Sequence, residues 1–286
     1  MMDHYTDVAT TVFGGVNKMF CLYEDDDTCV AAVTAGLAIL GGVTIAEQAK
    51  RFKRKTKADK TEFNSVEDVA RAFADYVTLI WNEEFRPDEQ TDRPRETLPN
   101  VQFILAGFGK NDYYGKIYRI DISSGKLEEQ FPDGSHMGMC WGGMADYVER
   151  LVKGFDASLK NKVGRELAGA MKRQRETTIN DISQALIVAE IIVPNDLDIH
   201  ITEDQPPTLP WETTWVDIDF GNLSTQYAVE LVEMLVNTQS GMQRFARGIP
   251  TVGGRTHIGV LKRGEGLQLL NEPKLQHKHT GYGDDF

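Results

Sequence analysis

The chain has 286 residues, 41% hydrophobic and 26% charged, which is ample for a buried core and ordinary for a soluble globular protein. A formal net charge of −12 argues against a nucleic-acid binder, which would show a basic face. Three cysteines, Cys21, Cys29 and Cys140, lack metal-ligand spacing and read as reduced thiols, so neither metal nor cofactor is expected. The acidic start, Met1-Met2-Asp3-His4, has no signal-peptide character, and a cytoplasmic protein is expected.

Val12 to Tyr23 reads as a strand or a bent pair of strands with Gly14-Gly15 as the kink, and Glu24 to Asp27 as the following turn. Cys29 to Thr34 is the returning strand. The uncharged run Cys29 to Ala46 is near the minimum length of a membrane span, but Gly36, Gly41 and Gly42 interrupt it. A strand leading into a helix over Gly36 to Lys55 is the better reading, with no membrane partner. The basic run Lys50 to Lys60 is a solvated helix end and loop. Ser65 to Glu84 is the clearest helix: Val66, Val69, Ala70, Phe73, Val77, Ile80 and Trp81 form one stripe behind a Ser65–Asp68 capping box.

Arg86 to Pro99 is a loop. Asn100 to Ile122 is a hairpin whose second strand alternates, Ile117 and Arg119 on one face, Tyr118 and Ile120 on the other. Leu127 to Phe131 and His136 to Trp141 read as two further strands around a Pro132-Asp133-Gly134 turn. Helices follow over Met144 to Phe155 and Asp156 to Arg175, and Ile179 to Val193 is either a helix, as its length favours, or a buried strand, as its Ile-Ile-Val end favours. The strict alternation of Trp215 to Phe220 predicts a strand, and Gln226 to Phe245 a long helix. Thr256 to Lys262 and Gly264 to Leu270 close the sequence as a strand pair before a polar tail. His277 and His279 form a His-x-His pair in that tail, read as solvent-exposed. Strands in runs, separated by runs of helices, predict an α+β layered domain rather than a doubly wound parallel sheet.

Several segments, taken in order, resemble the proteasome β-type subunits and their bacterial relatives among the N-terminal-nucleophile hydrolases. They are Asn17-Lys18-Met19-Phe20, Val30 to Ala38 with its helix, the Asn100 to Ile122 hairpin, the Gly142-Gly143-Met144-Ala145 turn, and Val252-Gly253-Gly254 before His257 to Leu261. The resemblance implies a four-layer αββα sandwich with two antiparallel sheets, its first strands missing, over residues 1–272. Residues 156–210 would be an insertion and 273–286 a mobile tail. It also implies a threonine-type endopeptidase machinery: a terminal threonine whose own amine is the base, a lysine beside it, and backbone N–H groups of a glycine turn for the oxyanion. Lys18 would be that lysine, and Gly142 and Gly143 the turn.

The same comparison identifies departures. No nucleophile is found, because a chain cut before Thr10 or Thr11 would place threonine and Lys18 along one strand, too close to converge on a carbonyl. Gly143 and Val252 stand where the family has supporting serines, and Ile249 where it has aspartate. Two explanations stand: a true start upstream of Met1, or a subunit that keeps the fold without the chemistry. The expectation is a proteasome-like subunit of intracellular proteolysis, not catalytic as written, in a homo-oligomeric ring or with other such subunits. If active, its substrate would be unfolded polypeptide. The alternatives are a non-catalytic ring or scaffold subunit on the same fold, and an unrelated α+β binding protein.

Overall fold

The computed structural model describes residues 18–86, 94–110, 112–132, 137–191, 209–245 and 256–271. Nine strands and five α-helices form among them, with every strand pairing antiparallel. The fold is therefore mixed α and β. The chain divides into two units, residues 1–145 with 219–286, and residues 146–218.

The first unit is built on a five-stranded sheet of order β1-β2-β5-β6-β7, comprising β1 Met19–Glu24, β2 Cys29–Gly36, β5 Val101–Phe108, β6 Lys116–Asp121 and β7 Lys126–Gln130. Alternation assigns its two faces. Phe20, Val30, Ala32, Phe103, Leu105, Tyr118 and Ile120 are buried on one side against α1 Ile45–Ala58 and α2 Val66–Phe85. The rings of Phe52 and Phe103 lie 5.2 Å and 4.9 Å from that of Phe73, an aromatic stack joining α1, α2 and β5. Ser65 caps α2 by accepting from Asp68 N at 3.1 Å, and the expected stripe is buried at Val66, Val69, Ala70, Phe73, Val77 and Trp81.

The sheet's other face carries Val33, Ala35, Gln102, Ile104 and Arg119, in cross-strand rows set by the Ala35–Gln102–Asp121 and Val33–Ile104–Arg119 registers. A two-stranded hairpin, β8 Gly259–Lys262 with β9 Gly266–Leu269, packs on the Met19 end: a Cβ at Gly259 would meet Met19 Sδ at 2.5 Å. Arg263 lies over the Phe108 ring at 5.1 Å. The helix α5 Thr225–Gln243 is tied to the same hairpin region through Thr256 Oγ1, which donates to Asn237 Oδ1 at 2.7 Å.

Four expectations are corrected. The helix expected from Gly36 starts only at Ile45, because Gly41 (φ +60°) and Gly42 (φ +73°) turn a small hairpin, β3 Ile39–Leu40 with β4 Val43–Thr44. The expected strand at His136 to Trp141 is absent over its described part, 137–141. The alternating Trp215 to Phe220 is no strand. Val216 N instead donates to Val152 O at 2.8 Å, so the segment docks on a helix end and meets no sheet. The helix expected over Asp156 to Arg175 does not stop there but runs on into the segment open to helix or strand, as one helix, α4 Ala157–Val188. Its Thr177 hydroxyl donates back to Arg173 O at 3.0 Å, which accommodates the polar, β-branched stretch inside the helix.

The second unit holds α3 Asp146–Lys153 and α4, whose N-terminus Asp156 caps by accepting from Leu159 N at 2.7 Å. Arg150 pairs with the same carboxylate, and Phe155 stacks on Trp211 at 4.8 Å. Among the described residues no helix is long and apolar enough to cross a membrane.

Candidate functional site

Gly36 ends β2 with φ +92°, and a Cβ there would lie 2.3 Å from Asn100 O, so only glycine allows the backbones to approach so closely. That approach sets the start of β5, and with it Asn100 and Gln102, beside the end of β6. The carboxylate of Asp121 collects their amides: Asn100 Nδ2 donates to Oδ2 at 2.8 Å and Gln102 Nε2 to the same oxygen at 2.9 Å. On Oδ1, Ser124 donates through its backbone N at 3.0 Å and its hydroxyl at 2.9 Å, and the Ser123 hydroxyl at 3.1 Å. Burial opposes ionisation of this carboxyl, but the Ser124, Gln102 and Asn100 donors outweigh it and hold its pKa at about 2.

The network extends to the glycine turn. With its Nε2 committed to Asp121, Gln102 directs Oε1 outward, where it accepts from Gly143 N at 3.0 Å. Gly143 needs its positive φ of 72°, and a Cβ there would meet Ala35 Cβ at 2.9 Å. Gly142 lines a pocket of 70 Å³ with Val33, Ala35, Gln102, Ile104 and Arg119. Sites that take organic ligands are commonly ~300–1,000 Å³, so this pocket is small for one. Burial pushes the Cys140 thiol up, with Arg119 opposing, which makes it a poor nucleophile.

Lys18 lies elsewhere. Its carbonyl accepts from Thr34 N at 3.0 Å, extending the β1–β2 ladder by one residue, and the residue is exposed. Strand alternation puts Lys18 on the Phe20 side of the sheet, whereas Gly143 packs against Ala35 on the opposite side. The structure thus brings Gly142 and Gly143 to the Gln102–Asp121 network and does not bring Lys18 there. Thr10, Thr11, Ile249, Val252, Gly253, Gly254, His277 and His279 lie outside the described residues. Gln102 and Asp121 received no role from the sequence. The signal was present: two amides at Asn100 and Gln102, and an Asp-x-Ser-Ser run at the paired end of the same hairpin.

No family model matches the chain, and no curated protein does. Among solved structures, Anbu (ancestral beta-subunit) from Yersinia bercovieri is similar at 16% identity over 47% of this chain and 51% of that one, with a TM-score of 0.33. Anbu from Hyphomicrobium sp. strain MC1 is similar at 14% identity over 45% and 49%, with a TM-score of 0.26. This chain spans about half the length of each. The assignment to proteasome β-type subunits is corrected by these findings: the similar structures are Anbu proteins, a distinct family.

The acidic turn is held by its own hydrogen bonds and by Lys110, whose Nζ pairs with Asp27 Oδ2 at 3.3 Å. Asp25 Oδ1 accepts from Asp27 N at 2.9 Å and Thr28 N at 2.6 Å, and Oδ2 from Tyr23 OH at 2.7 Å. Among the described residues no three His, Cys, Asp or Glu side chains converge as a metal site.

Proposed function

We propose that the chain is a proteasome-related subunit that works in intracellular proteolysis as a non-catalytic building block of an oligomer. The observation that carries this is the hydrogen bond from Gly143 N to Gln102 Oε1 at 3.0 Å. An oxyanion hole needs backbone N–H groups aimed at empty space where charge develops, and here the turn's N–H already has an acceptor from within the chain. The placement of Lys18 across the sheet supports the same conclusion. Oligomerisation draws support from α5, where Tyr227, Val232, Met234, Val236 and Met242 are exposed among the described residues. In this reading β8–β9 belongs to the second sheet of a four-layer αββα sandwich, and residues 156–210 are an insertion in a domain spanning 1–272.

Two measurements on the full chain test the proposal. Fluorogenic peptides should show no turnover above background, with Lys18→Ala indistinguishable from the native chain. Native mass should give a multiple of the 32.1 kDa chain at micromolar concentration. Turnover that Lys18→Ala abolishes would overturn the non-catalytic reading in favour of a threonine-type peptidase. A monomer would overturn the oligomer.

A further inference from the structure

A second cluster of reactive side chains sits apart from the glycine turn, at the β1 edge of the sheet as formed among the described residues. β1 is the edge strand, and its register against β2 shifts between Cys21 and Tyr23. That bulge leaves Cys21 half-buried at the edge and diagonal to Cys29, which pairs with Glu24 in the ladder. Lys53, reaching from α1, donates to Cys21 Sγ at 3.1 Å and pairs with Glu24 Oε2 at 3.6 Å. Cys29 is buried, and it lies near enough to Cys21 that each thiol shifts the titration of the other. Glu24 and Cys29 both border Gly266 of β9, whose missing side chain leaves them space.

We propose that Cys21 and Cys29 form a hydroperoxide-reducing dithiol, with Cys21 attacking, Cys29 resolving and Lys53 as the cation beside the attacking sulfur. The Cys21 thiolate attacks the distal oxygen of ROOH and the O–O bond breaks. Sulfur takes the hydroxyl as a sulfenic acid, and the alkoxide leaves as ROH with a proton from solvent or the Lys53 ammonium. The Cys29 sulfur then attacks the Cys21 sulfur, and the sulfenic hydroxyl departs with the Cys29 proton as water. Two thiols become one disulfide, and the peroxide takes both electrons.

The charges around the pair fit these roles. The neighbouring Cys29 lowers the Cys21 thiol, burial raises it, Lys53 lowers it and Glu24 raises it, with a balance at about 7. Near neutral pH Cys21 therefore carries more thiolate than an unperturbed thiol. Cys29 is pushed the other way, first by Cys21 and then by burial, so the two sulfurs do not compete as nucleophiles. Once Cys21 is a neutral sulfenic acid, the repulsion from its thiolate no longer acts on Cys29.

The test treats the full chain with dilute hydrogen peroxide and follows intact mass and peptide maps without reductant. The expected product is two hydrogens lighter, with Cys21 joined to Cys29. Cys29→Ser should stop one oxygen heavier at Cys21. Lys53→Met alters a side chain that is 41% exposed, so it should fold. It should slow the reaction about tenfold at neutral pH and move the midpoint of its pH–rate profile up from about 7. Alkylation of the native chain by iodoacetamide gives an independent reading, since Cys21 should label with the same midpoint and ahead of Cys140. Cys140 reacting first, a product without the Cys21–Cys29 link, or an unchanged rate in Lys53→Met would each overturn the proposal.

Discussion

Replacing Phe73 by alanine should destabilise the first unit by about 4 kcal/mol, read as a lower midpoint in urea with an unchanged slope. The residue is 0% exposed and its ring touches two others at 5.2 Å and 4.9 Å, one from α1 and one from β5. Truncation removes the transfer free energy of the ring and leaves a cavity that three rigid elements cannot close together. Phe52→Leu, which keeps most of the volume, should cost under about 1.5 kcal/mol. A Phe73→Ala variant as stable as the native chain would mean that α2 does not pack on the sheet as described.

Asp121→Ala should cost about 2 kcal/mol at neutral pH, because four side chains and one backbone N–H lose a charged acceptor in a half-buried place. The loss should depend on pH with a definite sign. The folded-state pKa is depressed to about 2, below the ordinary carboxylate value near 3.8. The ionised carboxylate therefore stabilises the fold fully above pH ~4, and that contribution fades as pH falls from ~4 through about 2. Partial solvent exposure reduces the linked part to about 1 kcal/mol. Denaturation of native and variant chains at pH 7 and pH 2.5 measures it directly: the gap between them should narrow in acid. A gap that widened would contradict the network.

The elements that the sequence revealed are those whose stabilisation is local or periodic. The α2 stripe and its Ser65 cap are legible because helix spacing and capping lie within one segment. The β5–β6 hairpin is legible because alternation and turn adjoin each other, and Tyr118 and Ile120 are buried together as expected. Trp215 to Phe220 misled because alternation says only that a segment has two faces. Whether a sheet edge is there to receive it is a tertiary fact, and Val216 bonds a helix end instead. The placement of the candidate site residues is a tertiary fact of the same kind. Lys18, Gly142 and Gly143 were picked by position along the chain, but which side of the sheet each occupies follows from register. Gln102 matters only because it bridges Asp121 and Gly143, 41 residues apart from the latter in sequence.

Gln102 occupies the N–H of the glycine turn. Amide hydrogen exchange at Gly143, resolved by NMR, tests it most directly in the native chain and in Gln102→Ala. Slow exchange in the native chain that becomes fast in Gln102→Ala, with the β5 and β6 amides unchanged, is the predicted result. Equal and fast exchange at Gly143 in both would contradict it, leaving the turn open to an oxyanion.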